Sequence, residues 1–452
     1  MSRGFESHAL RIFICTACIN EGTSVSDQLR PRSSRSRKLA TIARHGRLRR
    51  SNPFIALAKV LAASLAVVLV SGVSVAAIAT YDVAASVQPD VKLANETAGP
   101  ATSIDAIEGG VNLLIVGSDS RKGQGEAFGP EDSTGDLNDV TMLLHISEDH
   151  SNASVISFPR DLYVPIPECP DPEGGTFDSM SSQKINTTLT YGGLACTVLT
   201  VEKLTGLSIP YAAEVQFNGV IAMSTAVGGV PVCVAEDIED EYTNTYLEAG
   251  MHTLEGTAAL QFLRTRHGVG DGSDLTRISN QQVFLSSLMR TVKSADTLTD
   301  PLKVYSLAKA VTANMSLSTS LNDVSTLASI AVALKDIDLS KVVFIQVPTG
   351  TVDGGVEAVE PDFGDLFAAV AADASLQLGG TTGGGATVDP NAPVVAEPDP
   401  AATVDPATGE VADPAVPDPA VTDPSTTVLS DSVTGQTAGE LTCSVGRTLD
   451  DQ

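Results

Sequence analysis

The sequence predicts an α/β sandwich around a mixed central β-sheet, and two observations lead there. Between residues 107 and 375, continuous apolar runs of strand length alternate with segments whose apolar residues recur at helical spacing. Such alternation is the pattern of helices layered on a sheet. Charged pairs also stand just past the ends of the apolar runs, where open α/β sheets gather their ligands. A third feature lies ahead of this region. Residues 60–80, VLAASLAVVLVSGVSVAAIAT, carry no charge and are long enough to cross a bilayer.

In chain order, residues 1–52 form a basic N-terminal segment. Residues 1–50 hold 11 Lys/Arg against 3 Asp/Glu, which leaves −35 for the rest of a chain of net charge −27. Basic residues ahead of an apolar span keep that side in the cytoplasm. A retained single-pass helix over 53–80 is therefore expected, with everything beyond it outside the cell membrane. A cleaved signal peptide is the rival, but the apolar stretch is long for one and no small-x-small cleavage site stands out. Residues 4–7, GFES, are what the common tRNA T-arm sequence GGTTCGAATCC encodes in one frame. The start is accordingly read as placed too early, with Val25 or Leu29 as the true first residue. Cys15 and Cys18, in CTAC, have no second pair and are read as neither a metal nor a redox site.

Residues 81–105 read as a polar stalk, and 106–376 as one domain. VNLLIV (111–116), VTMLLHI (140–146) and ASVISF (153–158) have the continuous apolarity of buried strands. CTVLTVEKLTG (196–206) reads as a helix stopped by Gly206. AAEVQF (212–217) and VPVCV (230–234) return to strands, and HTLEGTAALQFL (252–263) reads as a helix. Ile278, Gln282, Leu285, Met289 and Val292 fall on one face of a helix over 278–293. KVVFIQV (341–347) is a late strand. Residues 377–452 are rich in Gly, Pro, Asp, Ala and Thr, with DPA recurring, and read as a disordered acidic tail that buries too little apolar surface to offset its ordering entropy. Cys443 is expected to be tethered back. The four external cysteines, Cys169, Cys196, Cys233 and Cys443, allow three pairings, of which Cys169–Cys196 is favoured by proximity.

An acidic body argues against nucleic acid, whose phosphates need a basic footprint, but it leaves room for a phosphate in a local pocket. Strand 111–116 runs into Asp119 and Arg121, and strand 153–158 into Arg160 and Asp161. FLRTRHGVGDGSDLTR (262–277) packs Arg264, Arg266, Arg277, Asp271 and Asp274 into sixteen residues. If the chain becomes extended after its helix, Arg264 and Arg266 point the same way. Arg277 and Gln281 share a face at the start of the next helix, whose N-terminus itself attracts anions. Convergent guanidiniums suit a phosphate or pyrophosphate. The bland alternative is a surface network in which Asp271 and Asp274 neutralise the arginines. Asp136 and Asp139 stand before another strand, where Asp139 is placed to join Asp119 in holding Mg²⁺. Lys184 and Asn186 are within reach of the same place. His252 and His267 lack a paired nucleophile and read as solvated or structural, and no serine elbow, Walker loop or metalloprotease histidine pair is present.

NLLIVGSDSR, DVTMLLHIS, SVISFPRDLYVPIP, KINTTLTYGG, VEKLTG, VGGVPVCV, YLEAGMHTLEGTAALQFLRTRH and DGSDLTRISNQQ occur in that order over about residues 110–290. Together they resemble the LytR–CpsA–Psr (LCP) family of membrane-anchored phosphotransferases. The resemblance implies a three-layer α/β/α domain and a cell-wall polymer ligase. Such an enzyme moves a glycan polymer from a polyprenyl-pyrophosphate carrier to peptidoglycan, leaving a phosphodiester. It implies Asp119 and Asp139 as ligands of Mg²⁺ (or Mn²⁺). Arg121, Arg160, Lys184, Arg264, Arg266, Arg277 and Gln281 are implied around the pyrophosphate, with Asp161 and Asp274 orienting the arginines. A hydrophobic groove for the lipid is implied as well. Two positions depart from the family pattern: Asn280, where an arginine is usual and one phosphate contact is expected to weaken, and Asn138–Asp139–Val140, where Ser-Asp-Thr is commoner. The alternatives are a non-catalytic scaffold for polyprenyl phosphate or anionic glycan, and a lipid pyrophosphatase.

Overall fold

The computed structural model describes residues 53–86, 91–94, 107–125, 136–294, 300–390 and 426–452, with single positions between them. The basic N-terminus, CTAC and the alternative start residues lie outside the described residues. The chain divides into two units, residues 1–68 and 69–452. Helix α1 (Pro53–Ala85) begins in the first and ends in the second. Its stretch Leu57–Ala85 is long and apolar enough to cross a membrane, and its leucines and valines from Leu57 to Val75 are exposed along the helix. The helix outruns the boundary expected at residue 80. Asp82 is held by the Tyr305 hydroxyl and by Lys309 Nζ, and Ser86 Oγ lies 2.7 Å from Thr312 Oγ1.

The second unit is built on a seven-stranded mixed sheet. Its strands are β1 (Val111–Ser118), β2 (Asn138–Ile146), β3 (Ala153–Phe158), β6 (Tyr211–Val215), β11 (Met315–Leu317), β12 (Val342–Gln346) and β14 (Thr434–Thr437), in the order β11-β6-β1-β2-β3-β12-β14. β6 runs parallel to β1 and β12 parallel to β3, while the other four pairings are antiparallel. One face carries helices α2 (Thr188–Thr205) and α8 (Asp362–Ala371): Leu194, Val198, Phe363 and Phe367 pack on Leu114, Leu143, Ile156 and Val343. The other face is covered by α3 (Phe217–Ala226), α5 (Asp274–Lys293), α6 (Pro301–Asn314) and α7 (Val324–Asp336), whose Val220, Leu285, Val311 and Ile330 join Met142, Val155, Ala213 and Phe344. These are the three layers implied by the resemblance. The strand runs read from apolarity hold because β3 and β12, covered on both faces, are buried at every position.

A second sheet of four strands orders as β10-β7-β15-β13, from β7 (Val230–Val234), β10 (Gly250–Leu254), β13 (Ala386–Val388) and β15 (Thr442–Ser444). The remaining elements named below are β4 (Tyr163–Ile166) with β5 (Met180–Lys184), the hairpin β8 (Ile238–Asp240) and β9 (Thr245–Leu247), and α4 (Thr257–Arg264).

Three expectations need correction. Residues 252–263 are not one helix: β10 pairs antiparallel with β7 through Leu254, and α4 starts at Thr257 after Gly256, whose φ is 59°. The strand at 212–217 stops at Val215, because Gln216 caps helix α3 and Phe217 belongs to it. The tail expected to be disordered divides. Residues 393–425 lie outside the described residues, whereas 426–452 are ordered. There β14 extends the central sheet beside β12, and β15 sits between β7 and β13 with Cys443 bonded to Cys233. The pairing favoured from proximity, Cys169–Cys196, is also present, with Cα atoms 5.1 Å apart.

Candidate active site

Strand geometry assembles the site. β1 and β2 are antiparallel, so the end of β1 lies beside the start of β2, with Ser118 opposite Asn138. The end of β3 lies there too, since Phe158 pairs with Thr141. Asp119, Asp139, Arg160 and Asp161 therefore gather at one end of these three central strands. Gly117 allows the approach, because a Cβ there would stand 2.9 Å from that of Val140. Asp119 locks the turn: its N–H donates to Leu137 O at 3.1 Å, and its Oδ1 accepts from the Leu137 N–H at 2.8 Å.

Asp139 is the hub. Its Oδ1 accepts from Arg160 Nη1 at 2.7 Å and its carbonyl from Arg277 Nη2 at 2.6 Å. Asp274, at the first turn of α5, faces both arginines: its Oδ1 lies 2.7 Å from Arg277 Nη2 and 3.6 Å from Arg160 Nε, and its Oδ2 accepts from the Arg160 backbone N–H at 3.2 Å. Asp161 stands 3.6 Å from Arg160 Nε and accepts from Lys184 Nζ at 2.7 Å. Helix α4 ends at Arg264, and Thr265 is extended, with φ −58° and ψ 135°. Arg264 and Arg266 consequently line the same cleft, of about 220 Å³, together with Asp139, Arg160 and Arg277. The side chain of Arg266 is aimed by a hydrogen bond from its Nε to Gly272 O at 3.1 Å. Arg264 lies over the ring of Phe217 at 4.5 Å.

Burial would lower the affinity of Arg160 for its proton, yet Asp139 and the other carboxylates win and its pKa is raised. Asp161 is held below the usual carboxylate range: burial opposes this, but Lys184 and Arg160 outweigh it. Arg264 is lowered, burial being the largest cause. The cleft lining holds four arginines against two aspartates, Asp139 and Asp240, an excess of positive charge that suits an anion.

Asp240, on β8, escaped the sequence reading. It is fully buried, and its carboxylate accepts from Thr265 Oγ1 at 2.7 Å and from the backbone N–H groups of Arg266 and His267 at 3.0 and 3.2 Å. Tyr242 follows it into the cleft, its ring 4.6 Å from that of His267. In the acidic run EDIEDEY, one aspartate reads like its solvated neighbours. Only the hairpin turn, where Asp240 also accepts from the Tyr242 N–H, sets it apart.

Gln281 does not reach the cleft. Its Nε2 donates to Leu263 O at 3.0 Å, and it lines the apolar cavity described next. Asn280 is fully buried, donating to Phe262 O at 2.9 Å and accepting from Ser444 Oγ. The expected weakened phosphate contact is thus replaced by a tie between α4, α5 and β15. Asn186 is buried behind Arg160, its N–H donating to Arg160 O at 3.2 Å. Lys184 points to Asp161 and the ring of Tyr163. Arg121 enters through its charge, which opposes the raised pKa of Asp119.

That rise has burial as its largest cause, with the carboxylates of Asp139 and Asp136 adding to it. Carboxylate oxygens such as these are hard donors, the type that Mg²⁺ or Mn²⁺ takes. Among the described residues, one group of three metal-type side chains clusters elsewhere, Cys233, Asp389 and Cys443, and both its sulfurs are committed to the disulfide.

Behind the cleft lies an apolar cavity of about 180 Å³, lined by Ile115, Met142, Phe217, Met223, Leu260 and Phe284 among others. Asp139, Arg264 and Arg277 line both spaces.

Comparison with known proteins follows the same outline. The LytR_cpsA_psr family model matches residues 75–364. Cell wall biosynthesis protein LcpA of Corynebacterium glutamicum is 30% identical over 274 residues, 55% of this chain and 52% of that protein. Probable cell wall biosynthesis protein LcpB of the same organism is 36% identical over 222 residues, 48% of this chain and 50% of that one. Polyisoprenyl-teichoic acid–peptidoglycan teichoic acid transferase TagT of Bacillus subtilis is 30% identical over 193 residues, 41% and 54% respectively. The chain thus spans about half the length of the curated relatives it matches. Among solved structures, the LytR-Csp2A-Psr enzyme from Actinomyces oris aligns with a TM-score of 0.47 at 24% identity, over 63% of this chain and 96% of that one. The matched span takes in more than half of the sequence and every residue of the cleft, and the chain belongs to the LytR_cpsA_psr family.

Proposed function

We propose that this protein transfers a glycan polymer from a polyprenyl-pyrophosphate carrier to peptidoglycan, from the outer side of the membrane in which α1 anchors it. The observation that carries this reading is the sharing of Asp139, Arg264 and Arg277 between an arginine-lined cleft and an apolar cavity. A pyrophosphate-headed lipid has the matching form, an anion joined directly to an apolar chain. The reaction type follows that named for the Bacillus subtilis relative. A peptidoglycan hydroxyl oxygen attacks the phosphorus bearing the glycan, and the bond from that phosphorus to the bridging oxygen breaks. The hydroxyl proton is lost to solvent, and a phosphodiester and polyprenyl phosphate result. Arg160, Arg264, Arg266 and Arg277 neutralise the charge on the pyrophosphate, which phosphoryl transfer needs more than covalent help. Asp139 and Asp274 fix the arginines, and Asp161 with Lys184 braces Arg160. Asp119 and Asp139 would hold Mg²⁺, which supplies further charge neutralisation when bound.

The test combines lipid-linked glycan, peptidoglycan fragments and Mg²⁺ with purified protein. Linked product is expected from the natural sequence, and at least 100-fold less from Arg160→Ala. Lipid binding without product points to a scaffold, and release of free glycan phosphate with polyprenyl phosphate to a pyrophosphatase. Either outcome from a folded protein overturns the ligase. For the metal, Mg²⁺ is expected to raise the melting temperature of the natural protein and not of Asp119→Asn. Equal shifts in the two would exclude Asp119 as a ligand.

A further inference from the structure

Strand β15 and the residues just after it do more than close a sheet. Residues 444–447 lie beyond the family-matched span, which ends at 364, yet they run between the two segments that hold Arg266. On one side, the Arg447 N–H donates to Gly268 O at 2.9 Å and the Gly270 N–H to Val445 O at 3.0 Å. On the other, the Glu239 N–H donates to Arg447 O at 3.1 Å and the Ala235 N–H to Ser444 O at 2.8 Å. Val269 bridges to Gly446, and Gly446 is so closely enclosed that a Cβ there would collide with the carbonyls of Glu236 and Asp237.

The side chains repeat the pattern. Arg447 Nη1 donates to Asp271 O at 3.3 Å, next to the Gly272 carbonyl that aims Arg266. Ser444 Oγ donates to Asn280 Oδ1, and Asn280 in turn holds the Phe262 carbonyl of α4, two residues before Arg264. Asp240, which fixes the backbone of Arg266 and His267, sits one residue after Glu239.

We propose that residues 444–447 are a positioning element of the pyrophosphate site, a splint that sets Arg264 and Arg266 by joining the β8–β9 hairpin to the loop 267–272. Arg447 and Ser444 are its positioning residues and touch no substrate. The inference rests on the function proposed above only in what the arginines bind; that the strand holds the arginine loop stands by itself.

The experiment keeps the two apart. Hydrogen exchange of residues 264–272 is followed in the full-length protein and in Arg447→Ala, Arg447→Lys and Ser444→Ala, with geranyl pyrophosphate binding measured in parallel. Arg447→Ala and Ser444→Ala are expected to speed exchange in this segment at least fivefold while leaving β1–β3 unchanged, and to weaken the probe about tenfold. Arg447→Lys is expected to restore part of both. In turnover, the Michaelis constant for the lipid donor is expected to rise while kcat falls less than threefold. Unchanged exchange at 264–272 in both alanine variants, each folded, overturns the splint whatever the probe does. If the natural protein fails to bind the probe while exchange still quickens in the variants, the splint stands and the function reading fails.

Discussion

Asp240 carries more of the site than its position in an acidic run foretells. Burial pushes its carboxyl up, but the Thr265 hydroxyl and the N–H groups of Arg266, Thr243 and Tyr242 win, and it ends below its ordinary value of 3.8. A depressed carboxyl contributes stability that is fully present above the unfolded value and is lost as pH falls through the folded one. Asp240→Asn should therefore lower stability by about 1–3 kcal/mol at neutral pH, and the gap to the natural protein should shrink below pH 3.8. Urea melts at the two pH values check this, and a gap independent of pH would dissociate the effect from the carboxylate. At this scale the sequence was readable where charge stood out against apolar strands, as at Asp119, Arg160 and Asp161. It was opaque where the same residue type sat among its own kind, as at Asp240, and where a polar residue in a motif turned inward, as at Asn280 and Gln281.

At the scale of elements, continuous apolarity located β1, β2, β3, β7 and β12 because buried strands admit little else. The failures share one cause, that pairing across the chain overrides local pattern. Gly250–Leu254 is a strand because β7 offers it an edge, and TGQT and TCS are strands although their residues are polar, because β12 and β7 lie alongside. The junction of β1 and β2 shows how tightly such pairing sets chemistry. At Gly117 even one methyl group meets the Cβ of Val140 at 2.9 Å. Gly117→Ala should cost about 1–3 kcal/mol through the strand shift it forces, and activity should fall further than stability because Asp119 and Asp139 flank the shifted pair. Chemical denaturation alongside the transfer assay gives both numbers. Unchanged activity in a destabilised protein would mean that the register there is not critical.

Across the whole molecule, the arginines converge on one cleft between the central sheet, α4 and α5. The Cys233–Cys443 bond fastens β15 to β7 across a separation of 210 residues. Closing so long a loop constrains the unfolded chain, and replacing both cysteines with serine should lower stability by about 4–5 kcal/mol, read as a drop in the urea midpoint with a steeper slope from the more exposed unfolded chain. A loss below 1 kcal/mol would mean that the strand ladder suffices alone. The order in which the chain is made gives the 444–447 strand a further consequence. A ribosome releases Arg160, Arg264, Arg266 and Arg277 long before the segment that seats between their supports. A nascent or truncated chain that stops short of residue 444 can thus display every charged residue of the cleft and still lack the strand that seats between the supports of Arg264 and Arg266.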